Sequence, residues 1–154
     1  MNRRILLQAI LASASSVTLC APLFARAAAA PVVEVYKSEG CGCCEGWVEH
    51  LKANGFKVNA QNVASPSDYR EKFGIPRELG SCHTGLVQGY ALEGHVPASE
   101  IKRLLAERPK AIGLAVPSMP LGSPGMEGDR SDPYDVFLVQ AGGRRSIYKH
   151  YNGN

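Results

Sequence analysis

The sequence predicts one α/β domain, and three observations predict it. Short β-branched runs alternate with helical segments in the order βαβα, then ββα, then a long loop and two more strands. The clearest helix comes late, after two short strands, which suits one α/β layer arrangement. The chain has 154 residues, 45% hydrophobic and 20% charged, which is enough for one core and not for two. No internal repeat and no second domain is visible.

The elements read in order. "PVVEVYKS" (31–38) is β-branched and alternating, a strand. "EGWVEHLKANG" (45–55) places Trp47, Val48 and Leu51 at helical spacing and stops at Gly55. "FKVNAQNV" (56–63) alternates as a second strand. "SPSDYREKFG" (65–74) has a serine cap, an early proline and a closing glycine, the marks of a second helix. "HTGLVQGYALEG" (83–94) reads as two strands about a Gln88-Gly89 turn. "PASEIKRLLAERP" (97–109) is a helix with a Ser99 cap, an apolar stripe of Ile101, Leu104 and Leu105, and a terminating Pro109. Residues 113–133, rich in glycine and proline, read as a long loop. "YDVFLVQAGGRRSIYKHY" (134–151) is a hairpin pattern turning at Gly142-Gly143.

Residues 1–30 are set apart from this pattern. Arg3 and Arg4 precede an apolar run from Ile5 to Phe24 and then a small-residue tract, the order of a secretory signal cleaved around Ala28 to Ala30. Gln8, several serines and Pro22 interrupt the run, against a membrane anchor. "NRRILL" leaves both the general and the twin-arginine export routes open. The expectation is a periplasmic domain, 31–154, with no anchor after processing. Losing Arg3, Arg4 and Arg26 removes the whole formal excess of +3, so neither nucleic acid nor an anionic membrane is an expected partner. Of five cysteines, Cys20 leaves with the leader.

The remaining four carry the chemistry. "GCGCC" places Cys41, Cys43 and Cys44 between a strand and a helix, where backbone N–H groups favour thiolate. Cys41 and Cys44 form the strand-to-helix C-x-x-C of a thioredoxin-like domain. The loop entering the third strand would be "GSCHT" (80–84), bringing Cys82 and His83 opposite the first three thiols. In a second alignment the C-terminal hairpin supplies strands three and four, and Asp132-Pro133 takes that place. In an oxidising compartment four thiols also admit two structural disulfides, in three pairings. Yet three nearly contiguous thiols close very small loops and staple little chain.

A soft metal explains the density better. Crowded thiolates gain from a cation's charge, and soft ligands select Cu(I) or zinc. Zinc would take a tetrahedron from three cysteines and His83. Met119 and Met126 both lie in the Gly/Pro loop, on no amphipathic face, and thioethers favour copper. A bridging thiolate serves two Cu(I) ions, so more than one ion per chain is expected. His83 is the leading imidazole candidate. His95 in "EGHVP" is weaker, His50 reads as an ordinary surface or boundary residue, and His150 as solvated.

The pieces "GCGCC", "SCHTGLVQGYALEGHVP", "IKRLLAERP" and "GLAVPSMPLGSPGME" together resemble the periplasmic copper-resistance CopG family, from about residue 33 to 127. The resemblance implies a thioredoxin-like fold and a multinuclear Cu(I) site on Cys41, Cys43, Cys44 and Cys82. His83, Met119 and Met126 fall in matching motifs. Ser118 stands where glycine would be expected. The resemblance also implies work in copper tolerance beside copper exporters, chaperones or oxidases, with copper redox interconversion among the reactions considered.

Three functions follow for comparison. The first is a periplasmic Cu(I)-binding protein that sequesters, relays or redox-cycles copper. The second is a thiol–disulfide oxidoreductase with Cys41 as nucleophile and Cys44 as resolving thiol. The third is a zinc-stabilised module without catalysis.

Overall fold

The computed structural model describes residues 29–154; the expected leader, Cys20 included, falls almost wholly outside the described residues. Seven strands form one mixed sheet: β1 (Val32–Lys37), β2 (Lys57–Asn62), β3 (His83–Val87), β4 (Tyr90–Glu93), β5 (Gly113–Ala115), β6 (Tyr134–Val139) and β7 (Arg145–Tyr151). Their order is β2-β1-β3-β4-β5-β6-β7. Among the described residues three α-helices complete the fold: α1 (Gly42–Ala53), α2 (Pro66–Lys72) and α3 (Ala98–Glu107). Among the described residues no helix is long and apolar enough to cross a membrane.

The sheet reflects local pattern and connection length. α1 carries the chain from β1 to β2 and α3 from β4 to β5, and both pairs are parallel. β1–β3, β3–β4, β5–β6 and β6–β7 are antiparallel. Alternation along the strands divides the interior into two layers. Val33, Val35, Val87, Leu92 and Leu114 pack with Trp47 and Leu51 of α1 and Ile101 and Leu104 of α3. Ala91, Ala115 and Val139 point the other way, onto Ile75 and Leu79, which follow α2. On that same face Tyr69 of α2 stacks on Tyr36 with ring centroids 3.8 Å apart.

α1 begins three residues earlier than the sequence reading, at Gly42, and two further details depart from it. The segment 113–133 is not wholly loop, because Gly113–Ala115 pairs with both β4 and β6. Three residues buried on both sides show no alternation, so periodicity had nothing to detect. Gly113 lies so close to Ala91 that a Cβ would collide with the Ala91 backbone. The second departure is the start of α3. Pro97, not Ser99, is the N-cap, without a side-chain capping bond of its own.

The cap comes instead from α1. The Ala98 N–H donates to His50 Nε2 at 3.0 Å, and one turn earlier Trp47 Nε1–H donates to the Val96 carbonyl at 2.8 Å. Positions i and i+3 share a helix face, so α1 grips both sides of the turn from His95 to Ala98. His50 is therefore a half-buried boundary residue that serves as a structural acceptor.

An acceptor Nε2 must be unprotonated. Burial lowers the His50 pKa, Glu127 nearby raises it in part, and Lys102 lowers it. With the folded value below the unfolded one, the cap's contribution is complete above about pH 6.5 and is lost as pH falls through the folded value. His50→Ala should cost about 1 kcal/mol at neutral pH, the worth of a lost helix cap. Urea unfolding of both forms between neutral pH and pH 4.5 checks this: the two stabilities should converge in acid.

Candidate metal centre

Four cysteine sulfurs meet where the ends of β1 and β3 adjoin. β1 ends at Lys37, the chain turns through Gly40 at φ +70°, and Cys41 is the N-cap of α1. Cys43 and Cys44 lie in the first helical turn, which begins at Gly42. Cys82 immediately precedes β3, whose His83 stands opposite Lys37 in the β1–β3 ladder. The four Sγ atoms lie within 4.8 Å of one another. Cys43 Sγ is 3.6 Å from Cys41 Sγ and 3.9 Å from Cys82 Sγ, and Cys44 Sγ is 3.6 Å from Cys82 Sγ.

Among the described residues one disulfide is formed, Cys41–Cys44, while Cys43 and Cys82 are free thiols. The two-bridge arrangement is therefore not adopted. Cys44 is fully buried and Cys41 partly exposed, so the bridge is approached from Cys41. Burial, then the neighbouring Cys43, pushes the Cys82 thiol up to about 12, although the adjacent Ser81 hydroxyl acts in the other direction. Without a cation Cys82 stays protonated at neutral pH; a bound metal ion supplies the charge that a thiolate there needs.

Two imidazoles flank Cys82. His95 Nδ1 lies 2.8 Å from the Pro124 carbonyl, which can only accept, so Nδ1 carries the proton. His95 Nε2 then directs its lone pair at Cys82 Sγ, 3.2 Å away. This is the way a metal-binding histidine is usually oriented, with the far nitrogen held by a carbonyl. Burial lowers the His95 pKa and keeps the ring neutral. His83 is also fully buried, between Trp47 at 4.3 Å and His95 at 5.1 Å between ring centroids. Its Nδ1 is 3.4 Å from Cys82 Sγ, and its Nε2 has no hydrogen-bond partner among the described residues. Burial, then His95, lowers its pKa to about 3. Cys82, His83 and His95 form a second close group, so Cys82 Sγ belongs to both.

The long loop closes the outer side. Met119, about half exposed, places Sδ 3.9 Å from Cys43 Sγ. Ser118 has φ +62°, where the sequence comparison suggested glycine. Its N–H donates to the Gly80 carbonyl at 3.1 Å, and Ser81 Oγ donates to the Ser118 carbonyl, so the methionine turn is latched to the Cys82 turn. Met126 is held differently: its N–H donates to the Ser123 carbonyl and its carbonyl accepts from Gly122. Among the described residues no hydrogen bond to its sulfur is formed, whereas the Met119 sulfur has Cys43 as a partner. The loop reaches α1 through two glycines. A Cβ on Gly46 would be 2.9 Å from Gly125 Cα, and one on Gly125 would be 2.6 Å from the Trp47 nitrogen. That contact carries Pro124 to His95.

This donor set fits a soft cation. It offers thiolates, a thioether and neutral imidazoles, with one bare buried ring nitrogen and no carboxylate in either close group. Cys41, Cys43, Cys44, Cys82 and Met119 come together as the sequence suggested, and His83 lies on the inner side. His95, the weaker candidate from sequence, also faces Cys82. Its sequence signal is only a histidine between strand and helix, whereas its orientation depends on Pro124, twenty-nine residues away.

Comparison with known proteins places these features in a family. Residues 79–126 match a family described as "Protein of unknown function, DUF411". Two solved structures, titled "Copper resistance protein copG- Form 2" and "Form 1", are each 46% identical to this chain, with TM-scores of 0.76 and 0.75. Each match covers 79% of this chain and 98% of the other. No curated protein matches the sequence. The chain belongs to the CopG family.

In this CopG-family chain the family match spans Leu79 to Met126, and so contains Cys82, both imidazoles and the whole methionine turn. The C-x-C-C turn lies upstream of it.

Two outcomes follow from the geometry. Reduction of the purified protein and removal of the reductant should raise the number of thiols accessible to a chromogenic reagent under denaturing conditions by two, the sulfurs of Cys41 and Cys44. Gly125→Ala should lose about 3 kcal/mol in denaturant unfolding, because φ is +87° and the methyl group meets the α1 backbone.

Proposed function

We propose that this chain is an exported Cu(I)-binding protein of copper resistance, holding more than one ion on Cys41, Cys43, Cys44 and Cys82. The observation that carries the reading is the mutual approach of four cysteine sulfurs, with Met119 and His95 beside them, in a CopG-family chain. Sulfur that bridges ions lets few ligands hold several, and Cys82 is placed for bridging because it touches both the thiol group and the imidazoles. Met119, at the exposed lip, supports a role as cover or transfer ligand for copper entering or leaving. His83 and His95 complete the inner side. Met126 is held in the same loop by backbone hydrogen bonds to Ser123 and Gly122 and stays a further candidate thioether ligand.

The same reading takes the domain as thioredoxin-like. It is supported by β1-α1-β2-α2 followed by β3-β4-α3, by the β2-β1-β3-β4 order and by the C-x-x-C at the start of α1. The leader-like residues 1–30 support export to the periplasm, by either route, where copper exporters, chaperones or oxidases would be the exchange partners.

The Cys41–Cys44 disulfide favours a second reading, thiol–disulfide or copper redox chemistry. The two thiols release two electrons on bridging, enough to reduce two Cu(II) ions to Cu(I) with loss of two protons. Four sulfurs become available to Cu(I) only when that bridge is open. A zinc-stabilised module, the third alternative, would unfold when a chelator removes its metal.

Anaerobic titration of the reduced protein with Cu(I) against a competing chelator should show at least one tightly held ion per chain. Less than one overturns the copper reading. Cys82→Ser should lower the titration endpoint or weaken binding by about tenfold or more, a typical cost of disturbing a metal's ligation. An oxidoreductase that needs only Cys41 and Cys44 should keep its insulin-reducing activity in that variant.

A further inference from the structure

The geometry points to Glu93 as the positioning residue of this centre, a buried carboxylate that sets where Cys82 and Met119 stand. The inference rests on the copper reading above and concerns a residue that touches none of the candidate ligands.

Glu93 is the last residue of β4 and is fully buried. It pairs in register with Thr84 and so faces α2, on the side of the sheet opposite α1. Its Oε1 accepts the Ser81 N–H at 2.7 Å and Arg70 Nη1–H at 3.3 Å, and its Oε2 accepts the Thr84 hydroxyl at 2.7 Å. Ser81 and Thr84 bracket Cys82 and His83. One rigid carboxylate therefore fixes both ends of the dipeptide from beneath the sheet. The Gly94 N–H, just after β4, adds a bond to the His83 carbonyl at 3.0 Å.

The hold extends to the loop. Ser81, gripped by Glu93 through its N–H, donates its hydroxyl to the Ser118 carbonyl, and Gly80 accepts the Ser118 N–H. Ser118 precedes Met119. A chain of hydrogen bonds thus runs from Glu93 through Ser81 to the residue beside the thioether. Arg70 closes the underside: a Cβ on Gly80 would lie 2.7 Å from Arg70 Nη1, so Gly80 leaves room for the guanidinium.

Stability alone is a poor explanation for this group. Burying a carboxylate and its cation costs desolvation that their attraction scarcely offsets, and apolar residues of similar volume often serve a fold as well. A carboxylate does what an apolar side chain cannot: two oxygens in one plane hold two donors at a set separation. Here the set separation is the span from Ser81 to Thr84, the frame of the one sulfur shared by both donor groups.

The test uses the full-length protein, reduced, with Cu(I) alone as probe, in wild type, Glu93→Gln, Glu93→Leu and Thr84→Val. Three readouts are taken: Cu(I) affinity by chelator competition, the ultraviolet thiolate-to-copper charge-transfer spectrum, and the melting temperature without metal. Glu93→Gln keeps the Oε1 acceptor and can donate to Thr84 Oγ1, so affinity and spectrum should stay close to wild type. Glu93→Leu should weaken Cu(I) by about tenfold to a hundredfold, the usual cost of losing a ligand's supporting partner, with a shifted spectrum. Thr84→Val, which removes one hold and keeps the charge, should show a smaller change in the same direction. A folded Glu93→Leu with wild-type affinity and spectrum overturns the proposal, even if its melting temperature falls. If Glu93→Leu does not fold, Thr84→Val decides: unchanged affinity and spectrum overturn the proposal, and the shift upholds it. Absence of Cu(I) binding by the wild type overturns the copper reading and this inference together, whereas intact wild-type binding with indifferent variants removes only the role of Glu93.

Discussion

At one end of the β1–β3 ladder Lys37 stands opposite His83, and the rest of the site depends on that pairing. Because the strands run antiparallel, the chain leaving β1 and the chain entering β3 lie side by side. The first carries Cys41, Cys43 and Cys44 into α1, and the second carries Cys82. The ladder thereby brings together sulfurs thirty-nine residues apart in sequence. The junction is secured by charge as well as by backbone. Lys37, almost fully buried, gives its ammonium to Asn62 of β2 at 2.8 Å and to Glu45 of α1 at 2.6 Å. One cation thus ties the ends of two parallel strands to the first turn of the cysteine helix.

The long loop is fastened by different means. It offers little apolar surface beyond Val116 and reaches the site through backbone contacts. Ser118 joins Gly80 and Ser81, Pro124 meets His95, and Gly125 lies on Gly46. Glycine is required at the last contact because the loop and α1 approach to backbone distance, and because Gly125 adopts a positive φ. Donors from β1–α1, β3, the β4–α3 turn and the loop consequently converge without any one element carrying them all.

The two leading chemistries share a part and then diverge. Both use the Cys41–Cys44 dithiol, whose partly exposed Cys41 offers the point of approach. Only the copper reading gives work to Cys43, Cys82, Met119 and the two neutral imidazoles. The high pKa of Cys82 agrees with this division, since a thiol so buried needs a cation to become a thiolate and is otherwise a poor nucleophile. A dithiol opening and closing beside fixed soft donors also links electron count to the number of thiolates available.

By itself the sequence determined the helices, most of the strands and the cysteine cluster. Those depend on local pattern: the alternation of 31–38, the stripe of 97–109, and three thiols within four positions. It also singled out Cys82, by its setting before a strand. β5 escaped because three residues buried on both faces have no period, and the Ser99 cap was misjudged because His50 caps α3 from another helix. The tertiary structure alone decided the rest. It set the Met119 sulfur beside Cys43, showed that His95 and not only His83 addresses Cys82, and placed Glu93 beneath the Cys82 turn. Each depends on where a partner far along the chain is held. Local propensity records the conformation of a segment, and the direction of a lone pair depends on the neighbours that folding brings to it.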